Sequence, residues 1–169
     1  MVNTVAPYVL MKRLLPLMGH DCRVVNVLSA AQAPVDLEAL FGNRALSDGE
    51  AYAQSKLALT MWSVELAKEF SDNGPLIIAV NPASFLGSKM VKEAYGSNGH
   101  DLSIGADILV RSALSDEFAA ASGRYYDNDS RQFAEPHPDA LDFKKNRLLI
   151  DAIDQIVLKL SGSYTNNHE

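Results

Sequence analysis

With Cys22 as its single cysteine, the chain can form no internal disulfide, and no Cys/His set has the spacing of a zinc site. A reducing compartment is expected, which places the protein in the cytoplasm. Long apolar runs are also missing: nothing approaches the roughly 18 residues of a membrane span. The opening MVNTVAPYVLMKRLLPLM carries Lys12 and Arg13 in the middle of its apolar stripe, so it lacks the charged-then-apolar order of a signal peptide. Basic residues are outnumbered by acidic ones, 15 to 21, for a net charge of -6. Lys and Arg never cluster as phosphate neutralisation requires, so nucleic acid is excluded as the main partner, while a local site for a small anionic cofactor stays open. A Gly-x-Ser-x-Gly elbow and a Walker loop are both lacking, which removes an α/β-hydrolase and a nucleotidase. No internal repeat or low-complexity segment occurs.

What is present is ordinary globular composition, 47% hydrophobic and 21% charged over 169 residues, enough for one domain with a core. That domain is expected over residues 1–160, followed by a polar tail over 161–169. Apolar residues Val5, Val9, Leu10, Leu14, Leu15 and Met18 recur with helical spacing, predicting a helix over residues 4–18 with Pro7 in its first turn and Pro16 distorting its end. Arg23 to Ser29 reads as a buried strand, and residues 30–48 as a long loop with one short helical turn. Leu57, Met61, Val64, Leu66, Ala67 and Phe70 mark the strongest helix, from Glu50 to Phe70, closed by Asp72-Asn73-Gly74-Pro75. Leu76 to Val80 is a second strand, ended by Asn81-Pro82. A flexible stretch with Gly87, Gly96 and Gly99 follows, then a helix from Ile104 to Phe118, a short strand from Gly123 to Asp127 and a last helix from Ala140 to Leu160. This alternation predicts an α/β fold of about three parallel strands joined by crossover helices. Three strands are few for such a sheet, and one edge is left bare, to be covered by something beyond them.

Tyr52-Ala-Gln-Ser-Lys56 opens the strongest helix, and a separation of four places both polar ends on one helical face. A phenol is a poor proton exchanger at neutral pH, but a nearby ammonium favours the phenolate, by roughly 4 kcal/mol at about 4 Å before desolvation losses. Such a pair also arises by chance, with the Tyr packed and the Lys solvated. It gains weight from Asn26-Val-Leu-Ser29, which puts a hydroxyl at the carboxyl end of the preceding strand, the edge where open α/β sheets bind ligands. His100 and His137 have no partner in sequence, and Trp62 reads as core or oligomer seam.

On these residues the chain resembles the short-chain dehydrogenase/reductase family over nearly its whole length, and within it the bacterial relatives of retinol dehydrogenases. The family's Tyr-x-x-x-Lys matches Tyr52 and Lys56, its Asn-Ile-Ser-Ser strand end matches Asn26 to Ser29, and its Val-Asn-x-x-x-Pro context matches Val2-Asn3-Thr4-Val5-Ala6-Pro7. The resemblance implies a partial Rossmann-like fold and an NAD- or NADP-dependent interconversion of an alcohol and a carbonyl compound. It assigns Tyr52 to proton exchange and to cofactor contact, and Lys56 to holding the nicotinamide ribose and favouring the phenolate. It gives Ser29 the polarisation of the substrate carbonyl, and Asn3 the placing of a water that links Lys56 to solvent. Asn81-Pro82-Ala83-Ser84 resembles the family's Pro-Gly turn beside the nicotinamide, making Pro82, Ala83 and Ser88 cofactor contacts, with Ala83 standing where the family has glycine. Residues 85–103 correspond to the mobile substrate loop.

The family's opening Gly-x-x-x-Gly-x-Gly turn, which holds the pyrophosphate, has no counterpart in these residues. The expectation is therefore a catalytic portion separated from its dinucleotide-binding half. Two alternatives stand beside it. One is a non-catalytic remnant or module that forms a homo-oligomer or complements a partner supplying the other half. The other is the extended, epimerase-like branch that shares Tyr-x-x-x-Lys, for whose larger substrate domain the region after residue 80 leaves little room.

Overall fold

β-Branched and apolar residues dominate Arg23–Val27 and Leu76–Asn81, which form β1 and β2, parallel and in register from Arg23↔Leu76 to Val27↔Val80. The computed structural model describes residues 1–70 and 74–165, with side chains described as far as residue 161. β3 (Tyr125–Asp127) adds in parallel on the other side of β2, and β4 (Gln132–Ala134) runs antiparallel to β3, so the sheet order is β1-β2-β3-β4. The three expected parallel strands are present. β4 is the addition: three residues behind a tight turn, with Arg131 at φ 55, are too short to show an alternating pattern.

The bonds Leu76 N–H to Cys22 O and Leu28 N–H to Val80 O bracket the β1–β2 ladder. Even-numbered residues of β1 therefore bond to β2, and Arg23, Val25 and Val27 turn their N–H and C=O to the outer edge. The bare edge expected from the sequence is this one.

Successive residues of the sheet alternate between two cores. Ile77, Ala79 and Tyr125 face a layer built by α1 (Val5–Leu14), α3 (Asp48–Glu69) and α7 (Phe143–Thr165). Ile78, Val80 and Tyr126 face α5 (Leu102–Leu114) and a 3₁₀ turn at Asp116–Phe118, where Phe118, Tyr126 and Phe133 stack at 5.1–5.3 Å. In α3 every residue from Leu57 to Ala67 is buried. The hydroxyls of that run are satisfied locally: the Thr60 hydroxyl donates to Lys56 O, and the Ser63 hydroxyl donates to Leu59 O while accepting from Asn26 Nδ2 at 2.8 Å, whereas Trp62 Nε1 and Glu65 Oε2 are buried without a hydrogen-bond partner among the described residues.

Several boundaries differ from the sequence reading. The first helix is α-helical only to Leu14 and then tightens into a 3₁₀ turn at Leu15–Leu17, because Pro16 has no amide to donate. The expected loop turn before α3 is α2 (Leu37–Leu40), capped by Asp36. The helix read over residues 104–118 breaks at Ser115, whose hydroxyl caps the 3₁₀ turn. The last helix is two, α6 (Pro138–Leu141) and α7, because the Asp142 carboxylate accepts from the amides of Lys144 and Lys145 and starts a new helix. His137 caps α6 through Nδ1. Helix α7 continues through residues 161–165 of the expected tail. Asp72 and Asn73, expected to close α3, and residues 166–169 lie outside the described residues. Among the described residues no helix is long and apolar enough to cross a membrane.

α3 starts at a capping box: the Ser47 hydroxyl accepts from the Glu50 amide while the Glu50 carboxylate accepts from the Ser47 amide. Ser47→Ala should cost about 1 kcal/mol in urea unfolding, with the slope of the transition unchanged.

Candidate functional site

Helix α3 enters its buried run at Leu57, so Lys56 is the last residue before the core closes around the helix. Its stem is half-buried, and its ammonium donates at 2.9 Å to Val27 O, the outward-facing carbonyl at the end of β1. Burial pulls the Lys56 pKa below the ordinary lysine value. The same ammonium lies 5.6 Å from the centre of the Tyr52 ring, on the same face of α3. The expected pairing of phenol and ammonium is thus present as proximity, while the ammonium's hydrogen bond goes to the strand end.

Ser29 lies two residues past β1, in the chain that leaves the sheet. Its hydroxyl oxygen accepts from the Ala31 amide at 3.1 Å, and its hydroxyl proton has no acceptor among the described residues, which leaves it free to donate to a ligand. Beside it Gln32 donates to Ser29 O at 3.0 Å, and Gln32 Oε1 is buried without a hydrogen-bond partner among the described residues. Tyr52, Lys56 and Ser29 belong to one end of the sheet, where β1 stops and α3 begins. Asn3 makes no direct hydrogen bond to this group among the described residues. It is exposed ahead of α1, and no hydrogen bond joins it to Lys56; the neighbouring Thr4 hydroxyl anchors the segment by donating to Ser55 O at 3.3 Å.

The turn after β2 brings the other predicted residues to the same end of the sheet. Ala83 has φ 127 and Phe85 has φ 52, so the backbone keeps a glycine-like conformation at Ala83 despite the side chain. Each such residue costs of the order of 1–3 kcal/mol and persists only where its surroundings impose it. The surroundings here are polar. Asp129, just past β3, accepts from the Ser84 amide at 2.8 Å, the Ser84 hydroxyl at 2.6 Å and Asn81 Nδ2 at 2.9 Å. Asn81 is fully buried and also donates to Asp127 Oδ1 at 2.7 Å, while Asn128 Nδ2 donates to Pro82 O at 2.9 Å. Burial pushes the Asp129 pKa up, but the bonds from Ser84 and Asn81 and the nearby His100 override it and hold the carboxyl below its usual value. Tyr125 is pushed up to about 12, by burial first and by Asp127 and Asp129 second, so its phenol stays protonated at neutral pH.

The stretch expected to be flexible is partly built. Ser88 accepts from the Val91 amide and starts α4 (Lys89–Tyr95), which ends at Gly96 with φ 63. Leu86 pairs with His100 in a short parallel bridge that only glycines at 87 and 99 allow: a Cβ on Gly99 would lie 2.5 Å from Phe85 O, and one on Gly87 2.5 Å from Asn98 O. Ser88 is thus a helix cap, with its hydroxyl proton still available. Asn128 and Asp129 escaped the sequence reading, because Asp127-Asn128-Asp129-Ser130 looks like any polar turn, and Asn81 was read only as the end of its strand.

At the carboxyl ends of β1 and β2, donors at Ser29 and Ser88 with no acceptor among the described residues, the unused acceptor Gln32 Oε1 and the Lys56 ammonium are groups that a polar ring amide and a ribose would need. The described residues hold no glycine-rich strand-to-helix turn for the pyrophosphate.

No protein-family model and no curated protein matches the chain. Solved structures do. A crystal structure of an uncharacterized protein from Mycobacterium Paratuberculosis superposes with a TM-score of 0.61 at 22% identity, over 79% of this chain and 49% of that one. A short chain dehydrogenase from Salmonella enterica subsp. enterica serovar Typhi str. CT18 superposes with a TM-score of 0.56 at 23% identity, over 75% and 50%. The shared feature is the fold, α/β and partly Rossmann-like, and this chain spans about half the length of each of those structures.

Two outcomes follow from the turn. Ala83→Gly should raise stability by about 1 kcal/mol in thermal or urea unfolding, since relief of strain outweighs the roughly 0.5–1 kcal/mol entropic cost of glycine. Asp129, with its lowered folded pKa, contributes stability that is present above the ordinary aspartate range and lost as pH falls through the folded value. Between neutral pH and pH about 3 the melting temperature should fall more steeply for the wild type than for Asp129→Asn.

Proposed function

We propose that this chain is the catalytic portion of an NAD(P)-dependent oxidoreductase of the short-chain type, interconverting an alcohol and a carbonyl compound, and related to the retinol-dehydrogenase-like branch. The observation that carries the reading is the half-buried Lys56 ammonium, set beside the Tyr52 ring at the strand end that leads to Ser29. Proton exchange at neutral pH calls for a cation beside the phenol, and the Lys56 ammonium lies 5.6 Å from the centre of its ring. Likeness of fold to a short chain dehydrogenase supports the same reading.

In this reading Tyr52 passes a proton between its phenol and the substrate oxygen. Ser29 donates its free hydroxyl proton to that oxygen, stabilising negative charge as it develops. Lys56 turns from Val27 O toward the phenol and the ribose, and Asn3 places a water on the path from Lys56 to solvent. Pro82, Ala83 and Ser88 meet the nicotinamide, whose chemistry, when it is bound, is to give or accept a hydride.

A second reading, a non-catalytic module that pairs with a second copy or a complementing partner, is favoured by the outer edge of β1, where the backbone groups of Arg23 and Val25 have no backbone partner among the described residues and Val27 O is met by the Lys56 ammonium.

Turnover of a panel of alcohols and carbonyl compounds with NAD and NADP separates the two. On the first reading, Tyr52→Phe lowers kcat by roughly a hundred- to ten-thousand-fold and leaves binding of the preferred cofactor measurable. A wild-type chain that binds neither cofactor by calorimetry and sediments as a dimer abolishes the first reading and favours the second.

A further inference from the structure

The polar cluster beyond β2 and β3 carries an inference that rests on the oxidoreductase reading and extends it to a residue with no assigned role. We propose that Asp129 is a positioning residue that clamps the Pro82–Phe85 turn in the shape that presents its backbone to the nicotinamide. Three donors converge on its carboxylate: the Ser84 amide at 2.8 Å, the Ser84 hydroxyl at 2.6 Å and Asn81 Nδ2 at 2.9 Å. Two of the three come from the turn itself, flanked on either side by the positive-φ residues Ala83 and Phe85. The third comes from a fully buried asparagine at the end of β2, which ties the carboxylate to the sheet rather than to the loop. Asp129 is itself placed by β3, through the Asp129 amide bonded to Asp127 Oδ1 at 3.3 Å and the adjacent Asn128 amide bonded to Asn81 O at 3.1 Å.

This arrangement answers the substitution of Ala83 for the family's glycine. A glycine would adopt φ 127 without help; an alanine must be held there, and a doubly bonded Ser84 is what holds it. Charge-assisted bonds to a carboxylate are about twice as strong as neutral ones, which suits a clamp working against backbone strain. Asp129 touches no reacting atom in this role; it acts through residues 82–85.

Backbone amide exchange and NADH titration, both followed by NMR on the full chain, test the clamp. In Asp129→Ala, exchange of the Ser84 amide should accelerate, and the dissociation constant for NADH rise, each by about tenfold or more, as loss of bonds to a charged group implies. Amides of Leu57 to Ala67 should keep their protection, reporting an intact core. Asp129→Asn, which keeps one acceptor oxygen, should fall between wild type and Asp129→Ala in both readouts. If Asp129→Ala does not fold, Asp129→Asn and Ser84→Ala carry the same comparison. NADH binding within twofold of wild type in folded variants overturns the positioning role while leaving the oxidoreductase reading standing. A wild-type chain that binds neither NADH nor NADPH removes that reading, and the positioning role with it, even where Ser84 exchange depends on Asp129.

Discussion

Burial of α3 on every side from Leu57 to Ala67 is the constraint on which the rest of the molecule depends. A helix enclosed in that way must be packed by the sheet on one side and by α1 and α7 on the others, which fixes the layer order before any functional residue is considered. It also fixes where polarity can begin. Lys56 stands at the boundary, and the one strong acceptor its amine reaches is Val27 O, so the same packing that closes the core brings the ammonium to the open end of β1. That bond serves a second purpose: it occupies part of a strand edge that would otherwise offer its carbonyl to any passing chain.

Across the sheet the opposite arrangement holds. The turn after β2 is tied by bonds to Asp129, Asn128 and Asn81, with a glycine crossing at positions 87 and 99 in the loop beyond it. The end of β1 is therefore positioned by packing and the turn after β2 by charge. Electrostatic positioning is the more sensitive of the two to acid, whereas packing is sensitive to volume.

The elements most legible in the sequence are those whose side chains report their own environment. Val24, Val25 and Val27, the run from Leu76 to Val80 and the apolar pattern around Trp62 give two strands and the central helix nearly to their ends. Among the short elements the strand β3 and the turn of α2 were legible, but others were not: β4 has three residues, α4 seven, and the break at Asp142 depends on one carboxylate turning back to cap two amides. The signals existed, in Ser88 and Gly96 flanking α4 and in Asp142 itself, but each is a single residue whose capping role depends on the local backbone. In the site, Tyr52, Lys56 and Ser29 could be named because spacing along a helix and position at a strand end are local properties.

The sequence by itself determined the α/β class, the two main strands, the buried helix and the placing of Tyr52 above Lys56 on one face of it, because hydrophobic periodicity and helix geometry act over a few residues. Tertiary structure alone decided that the Lys56 ammonium goes to Val27 O, that Ala83 takes a left-handed backbone and that Asp129 holds Ser84. The partners in the two bonds are separated by 29 and 45 residues, and only the pairing of β1, β2 and β3 sets them within hydrogen-bonding distance.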